Sequence, residues 1–125
     1  MGRTEVYELL CILDFNNDRK RMSVILKKDD RITLYCKGAD STIYPRLNPK
    51  CAELQHITTR HLSEFAQNGL RTLCCAVRDI DPAFYAEWSK RHHLARSTLT
   101  SSHRKFCHKC HDVHLNTDLG FPIIR

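Results

Sequence analysis

Apolar positions in the first third of the chain fall into three short groups divided by polar ones. Val6 to Phe15, VYELLCILDF, is dense in Leu, Ile, Tyr and Phe and predicts a largely buried strand. Met22, Val24 and Leu26 then alternate with Ser23, Ile25 and Lys27, and Ile32, Leu34 and Cys36 alternate with Arg31, Thr33 and Tyr35. That period of two predicts a pair of strands closed into a hairpin by the polar KKDD. Between the first strand and this hairpin lies FNNDRKRMSV, residues 15–24, where two Asn, an Asp and three consecutive cations separate segments that both favour burial.

The period then lengthens. Asn48 followed by Pro49 is a helix start, with a capping side chain and a proline at the first helical position. Leu54, Ile57, His61, Leu62 and Phe65 recur at three- and four-residue intervals up to Asn68, and Gly69 follows as a C-terminal stop. LRTLCCAV, residues 70–77, predicts a strand, and Asp81-Pro82 opens a second helix carrying Phe84, Tyr85, Trp88 and Ala95. Strand, strand, strand, helix, strand, helix is the order of an α/β (α+β) domain over residues 1–96. From Ser97 neither period persists, and residues 97–125 are expected to form a divergent, disordered tail.

Composition narrows the class. A 125-residue chain that is 42% hydrophobic supports one modest core. Lys and Arg exceed Asp and Glu by 20 to 14, which favours an anionic partner: nucleotide, nucleic acid or acidic lipid. No RNA- or DNA-binding fingerprint is present, so nucleic acid is not expected as a partner. The seven cysteines are odd in number, and five of them lie in or beside apolar segments, which reads as reduced thiols in an intracellular compartment. No apolar stretch approaches the roughly 20 residues that span a bilayer, and Val6 stands where a myristoylation signal after Gly2 would place Ser or Thr.

Three short cationic sites fall at the ends of the apolar segments: Phe15 with Lys20 in the decapeptide, Lys37-Gly38-Ala39-Asp40, and Arg71. An antiparallel sheet would bring them to one edge. An aromatic face beside cations suits a nucleoside phosphate, the base stacking for about 1 kcal/mol while the cations meet the phosphates. Gly38 lets a ligand approach the backbone. Each feature alone is equally at home in a core or on an ordinary charged surface. The tail offers a rival: Cys107, Cys110, His111 and His114 in CHKCHDVH have donor types suited to tetrahedral Zn²⁺. That alternative makes the chain a non-catalytic interaction fragment with a small zinc-binding end. Walker, GxSxG and HExxH motifs are missing.

FNNDRKRMSV, LYCKGADS and EFAQNGLRTLCCAVRDI, in that order, resemble the nucleotide-binding domain of P-type ATPases over about Tyr7 to Arg96. Asp40 after KGA, the spelling RKRMSV and GLRTL look like the type IV branch, the phospholipid-transporting flippases. The resemblance implies an antiparallel sheet flanked by helices, here incomplete, on the cytoplasmic face of a membrane. It implies ATP as ligand, with Mg²⁺ in the parent enzyme. It also implies Phe15 stacking on adenine, Lys37 on the pocket floor beside Gly38, Arg71 reaching toward the phosphates, and Lys20 and Met22 lining the pocket. The whole charged turn would then face the nucleotide. The family's DKTGT and GDGxND motifs, which carry the phosphorylated and Mg-binding aspartates, do not occur. The expectation is therefore a part of a larger ATPase, working with the remainder of its parent and the membrane domain, with no catalytic residue of its own. Alone it should bind ATP without hydrolysing it or moving lipid.

Overall fold

The computed structural model describes residues 2–97. Cys107, Cys110, His111 and His114, with the tail that holds them, lie outside the described residues.

Four strands form one antiparallel sheet in chain order: β1 (Glu8–Leu13), β2 (Arg21–Lys28), β3 (Arg31–Gly38) and β4 (Cys74–Ile80). The expected α+β class is the observed one. The β2–β3 hairpin turns through Asp29 and Asp30, both left-handed at φ 49° and 64°, with Lys28 paired to Arg31. Two left-handed residues are what a two-residue hairpin needs to match the strands' twist, and Asp tolerates that region better than most side chains.

Side chains alternate across the sheet. Ser23 and Ile25 of β2, Leu34 and Cys36 of β3, and Ala76 of β4 are almost fully buried on one face. Helix α1 (Asp40–Ile43) places Ile43 against this face, and α3 (Pro82–Ser97) adds Trp88, so a single cluster closes the core. A bulge at Leu10 shifts the β1–β2 register between Leu9 and Cys11, and it lets Leu10, Cys11 and Leu13 all reach that cluster.

Between α1 and the long helix α2 (Ala52–Gln67) lie two 3₁₀ turns, Tyr44–Arg46 and Pro49–Cys51. Asn48 caps as its sequence suggested, accepting from the Lys50 N–H at 2.9 Å. The far end closes with Gly69 at φ 75°. There the Leu70 N–H donates to Phe65 O and the Gly69 N–H to Ala66 O, a Schellman stop that needs a residue without a Cβ penalty.

The fourth strand departs from expectation. Residues 70–77 read as strand, but β4 starts at Cys74 and runs to Ile80. Gly38 pairs with Cys74, and beyond Gly38 the chain turns into α1, so residues 70–73 have no ladder partner. At the other end the charged Asp79 stays in the strand because Arg31 and Thr33, across on β3, bond it at 2.8 and 3.2 Å. Phe15, placed inside the first strand by its apolar context, lies two residues past the end of β1. The short helix α1 and the 3₁₀ turn Tyr44–Arg46 carry no periodic signal and were not expected, and the helix expected from Pro49 opens as the 3₁₀ turn Pro49–Cys51 before α2 begins at Ala52.

Candidate functional site

The outer face of the sheet builds the site. Met22 on β2 and Lys37 on β3 are directly paired and so project to the same side, opposite the core. Gly38 ends β3 beside them. A Cβ there would lie 2.9 Å from the Arg21 Cβ and 3.0 Å from the Lys20 carbonyl oxygen, so no larger residue fits without moving backbone.

Two loops complete the edge. The first is residues 14–20, between β1 and β2. Asn16 Oδ1 accepts from the N–H groups of Asp18 at 3.0 Å and Arg19 at 2.7 Å, and the Asn16 carbonyl accepts from Lys20 N–H at 2.8 Å. Asn favours this local turn because its side chain mimics a backbone acceptor. The turn leaves Phe15 61% exposed and Lys20 in a left-handed conformation, φ 52°. The second loop is 70–73, which carries the exposed Arg71 and Leu73 from the end of α2 to β4.

Phe15, Lys20, Met22, Lys37, Gly38 and Arg71 line one open, largely apolar groove of about 590 Å³. All six residues singled out in the sequence are brought together there. Asn17, Ala39 and Leu73 complete the lining and were not singled out. All three sit inside the quoted motifs, and their neutral side chains gave no chemical signal. The lining holds three cations and no carboxylate.

The charged turn does not act as a unit. The sequence suggested that all of its cations face a ligand, yet only Lys20 lines the groove. Arg19 and Arg21 are turned inward, 6% and 4% exposed. Their guanidinium groups meet backbone carbonyls, which satisfies cationic donors that burial would otherwise leave costly. A second, smaller cavity of about 200 Å³ also has Phe15 in its lining, with Arg19 and His92 among others.

At the groove's edge, β4 carries two adjacent thiols on opposite faces. Cys75 is exposed and pairs across the strands with Lys37. Cys74 is buried, and burial, with the Asp40 carboxylate nearby, pushes its thiol pKa up. Burial likewise raises the Tyr44 phenol. Among the described residues, none forms a group of three or more His, Cys, Asp or Glu able to hold a metal ion, and no helix is long and apolar enough to cross a membrane.

Residues 2–108 match the family model described as the P-type ATPase cytoplasmic domain N. The match continues past residue 97, where the periodic pattern ceases. The chain is 52% identical over 106 residues to mouse (Mus musculus) phospholipid-transporting ATPase FetA, covering 84% of this chain and 9% of that protein. Human (Homo sapiens) phospholipid-transporting ATPase ID is 51% identical over 92 residues, 73% of this chain and 8% of its own length. Xenopus tropicalis phospholipid-transporting ATPase IC is 43% identical over 120 residues, 95% of this chain and 9% of its own. The chain thus spans less than a tenth of each relative's length.

Proposed function

We propose that this chain, which belongs to the family of P-type ATPase cytoplasmic N domains, binds the adenosine and phosphate parts of ATP in the groove on the outer face of its sheet. The observation that carries the reading is the convergence of Phe15, Lys20, Met22, Lys37, Gly38 and Arg71, drawn from four separate segments, on that one groove. Its volume lies within the range of small-molecule sites.

Each residue type matches a part of the ligand. Phe15 offers an exposed ring for the purine to stack on, with the polarisable Met22 thioether beside it. Lys37 forms the charged floor, and the small Gly38 and Ala39 keep backbone accessible there. Arg71 and Lys20 extend long cationic side chains from the two loops and meet the phosphates with charge-assisted hydrogen bonds. The donor set fits the nucleotide rather than a metal: an aromatic ring, a thioether and three cations line the groove, with no carboxylate. Mg²⁺, which ATP chemistry in the parent enzyme requires on this reading, would therefore be held elsewhere.

The relatives are named phospholipid-transporting ATPases, and by extension the parent of this domain is a P-type flippase that couples ATP hydrolysis to lipid movement. The domain's part in that cycle is to hold ATP; the remainder of the parent and its membrane domain are its working partners.

With its groove open on one side, the 125-residue chain is expected to bind ATP with a Kd near or above about 1 mM, roughly 4 kcal/mol. Titration of labelled protein with ATP, followed by amide shifts, checks this. Shifts confined to the neighbourhood of Phe15, Lys37 and Arg71 support the reading. Silence at those amides with ATP several-fold above about 1 mM defeats it.

A further inference from the structure

The geometry points to Arg19 as the positioning residue of the groove: its buried guanidinium sets the loop that presents Phe15 and Lys20, without contributing to the groove lining itself. This rests on the nucleotide reading above.

Arg19 Nη1 lies 2.9 Å from the carbonyl oxygen of Leu13, 2.6 Å from that of Asp14 and 3.2 Å from that of Arg21. Leu13 ends β1 and Arg21 begins β2, so one nitrogen ties both rims of the loop together. Arg21 returns the contact, its Nη1 donating to the Arg19 carbonyl at 2.9 Å. Lys20 sits between the two and holds a left-handed backbone at φ 52°. A side chain other than Gly keeps such a conformation only where its surroundings over-determine it. Here the reciprocal arginine contacts, the bond from Lys20 N–H to Asn16, and the close passage of Lys20 and Arg21 over Gly38 supply that constraint.

The same arginine shares a cavity with the stacking ring. Phe15 lines both the groove and the 200 Å³ cavity, and Arg19 and His92 line that second cavity. His92 is in turn stacked on Trp88, centroids 4.6 Å apart and planes 17° from parallel, and Trp88 belongs to the core. A line of contacts therefore runs from the core through His92 to the cavity that Arg19 and Phe15 share. The three carbonyls converge on one nitrogen, Nη1, and the planar, rigid guanidinium holds that nitrogen in place. A lysine ammonium brings three donors to one point but on a flexible stem, so it is expected to replace the contact only in part.

Two variants of the whole chain, Arg19→Met and Arg19→Lys, test the assignment with two readouts. The first is amide hydrogen exchange without nucleotide. In Arg19→Met the Arg19-position and Lys20 amides, which donate to Asn16, should exchange about tenfold faster, while Ile25 and Leu34 amides in the sheet change less than about twofold. Arg19→Lys should fall between. The second is the affinity of folded molecules for ATP and for adenosine, read from their own amide shifts so that any unfolded fraction does not count. In Arg19→Met adenosine should weaken about fivefold as Phe15 loses its place, and ATP by more because Lys20 leaves the phosphates as well; Arg19→Lys should recover part of both losses. Unchanged loop exchange in both variants overturns the assignment. So does a freed loop whose folded molecules still bind both ligands as the wild type does, because Arg19 would then be a structural staple alone. If Arg19→Met does not fold, Arg19→Lys decides by the same two readouts. A wild type that binds neither ligand, with the loop still freed in the variants, overturns the nucleotide reading and leaves the loop-setting role standing.

Discussion

The two faces of the sheet use the same four strands for opposite ends. On the inner face Ser23, Ile25, Leu34, Cys36 and Ala76 are at most 2% exposed and pack against Ile43 and Trp88. On the outer face their immediate neighbours Met22, Val24, Tyr35, Lys37 and Cys75 stay partly or fully exposed, and the groove forms at one end. Stability is concentrated where water is excluded, while the outer face keeps a groove open to solvent. A substitution on one face should therefore move one property and leave the other nearly still.

The largest effect expected is on the inner face. Leu34→Ala removes a side chain that is 0% exposed at the centre of the sheet and should cost about 2–5 kcal/mol of stability, read from denaturant unfolding. The molecules that remain folded should bind ATP with less than about twofold change in Kd. A large fall in the affinity of folded molecules would show that the two faces are coupled.

Next comes Arg71→Ala, on the groove side. Losing a charge-assisted contact of about 1.5–3 kcal/mol should weaken ATP by more than about tenfold, adenosine far less, and leave stability within about 0.5 kcal/mol. Equal losses for ATP and adenosine in a calorimetric titration would remove Arg71 from the phosphates.

Cys74 and Cys75 compare the faces within one dipeptide. A maleimide at neutral pH should label exposed Cys75 at least about tenfold faster than buried Cys74, as mass spectrometry of the digested protein would show. The same burial sets an alkaline limit. Cys74 and Tyr44 have folded pKa values raised above 9.0 and 10.0, so above those values the unfolded chain releases protons that the folded one retains. Stability should therefore be constant below about pH 9 with respect to these groups and fall as pH rises through 9 and 10. Cys74→Ala should delay that fall; a curve rising in the same window would reverse the sign.

The smallest effect is at the stacking ring. Phe15→Ala should weaken ATP and adenosine alike by about 1 kcal/mol, near fivefold, with little change in unfolding midpoint because the ring is 61% exposed. Loss for ATP alone would place the ring away from the base.

Paired helices show why some of this was legible and some was not. The spacing of Leu54, Ile57, Leu62 and Phe65 announced α2 clearly, and the helix is there, but Leu54, Ile57 and Phe65 remain exposed and only Leu62 packs against the core. In α3 the pattern is weaker, yet Trp88 is a central core residue. Periodicity tells what a helix is able to bury. Which face finds a partner depends on long-range contacts.

The chain's local chemistry by itself determined the four strands and two long helices, the hairpin turn, the Asn48 cap and the Gly69 stop, because each rests on neighbours within a few residues. The motif spellings also named six groove residues. Only the tertiary structure decided that β4 begins at Cys74 and ends at Ile80, since a strand extends as far as its partner does and Gly38 is where β3 leaves the sheet. It alone divided the consecutive cations, sending Lys20 to the groove and burying Arg19 and Arg21. In sequence those three differ little. In space, pleat and left-handed turn give neighbours opposite sides, and a buried guanidinium is tolerated because the carbonyls of Leu13, Asp14 and Arg21 lie within reach.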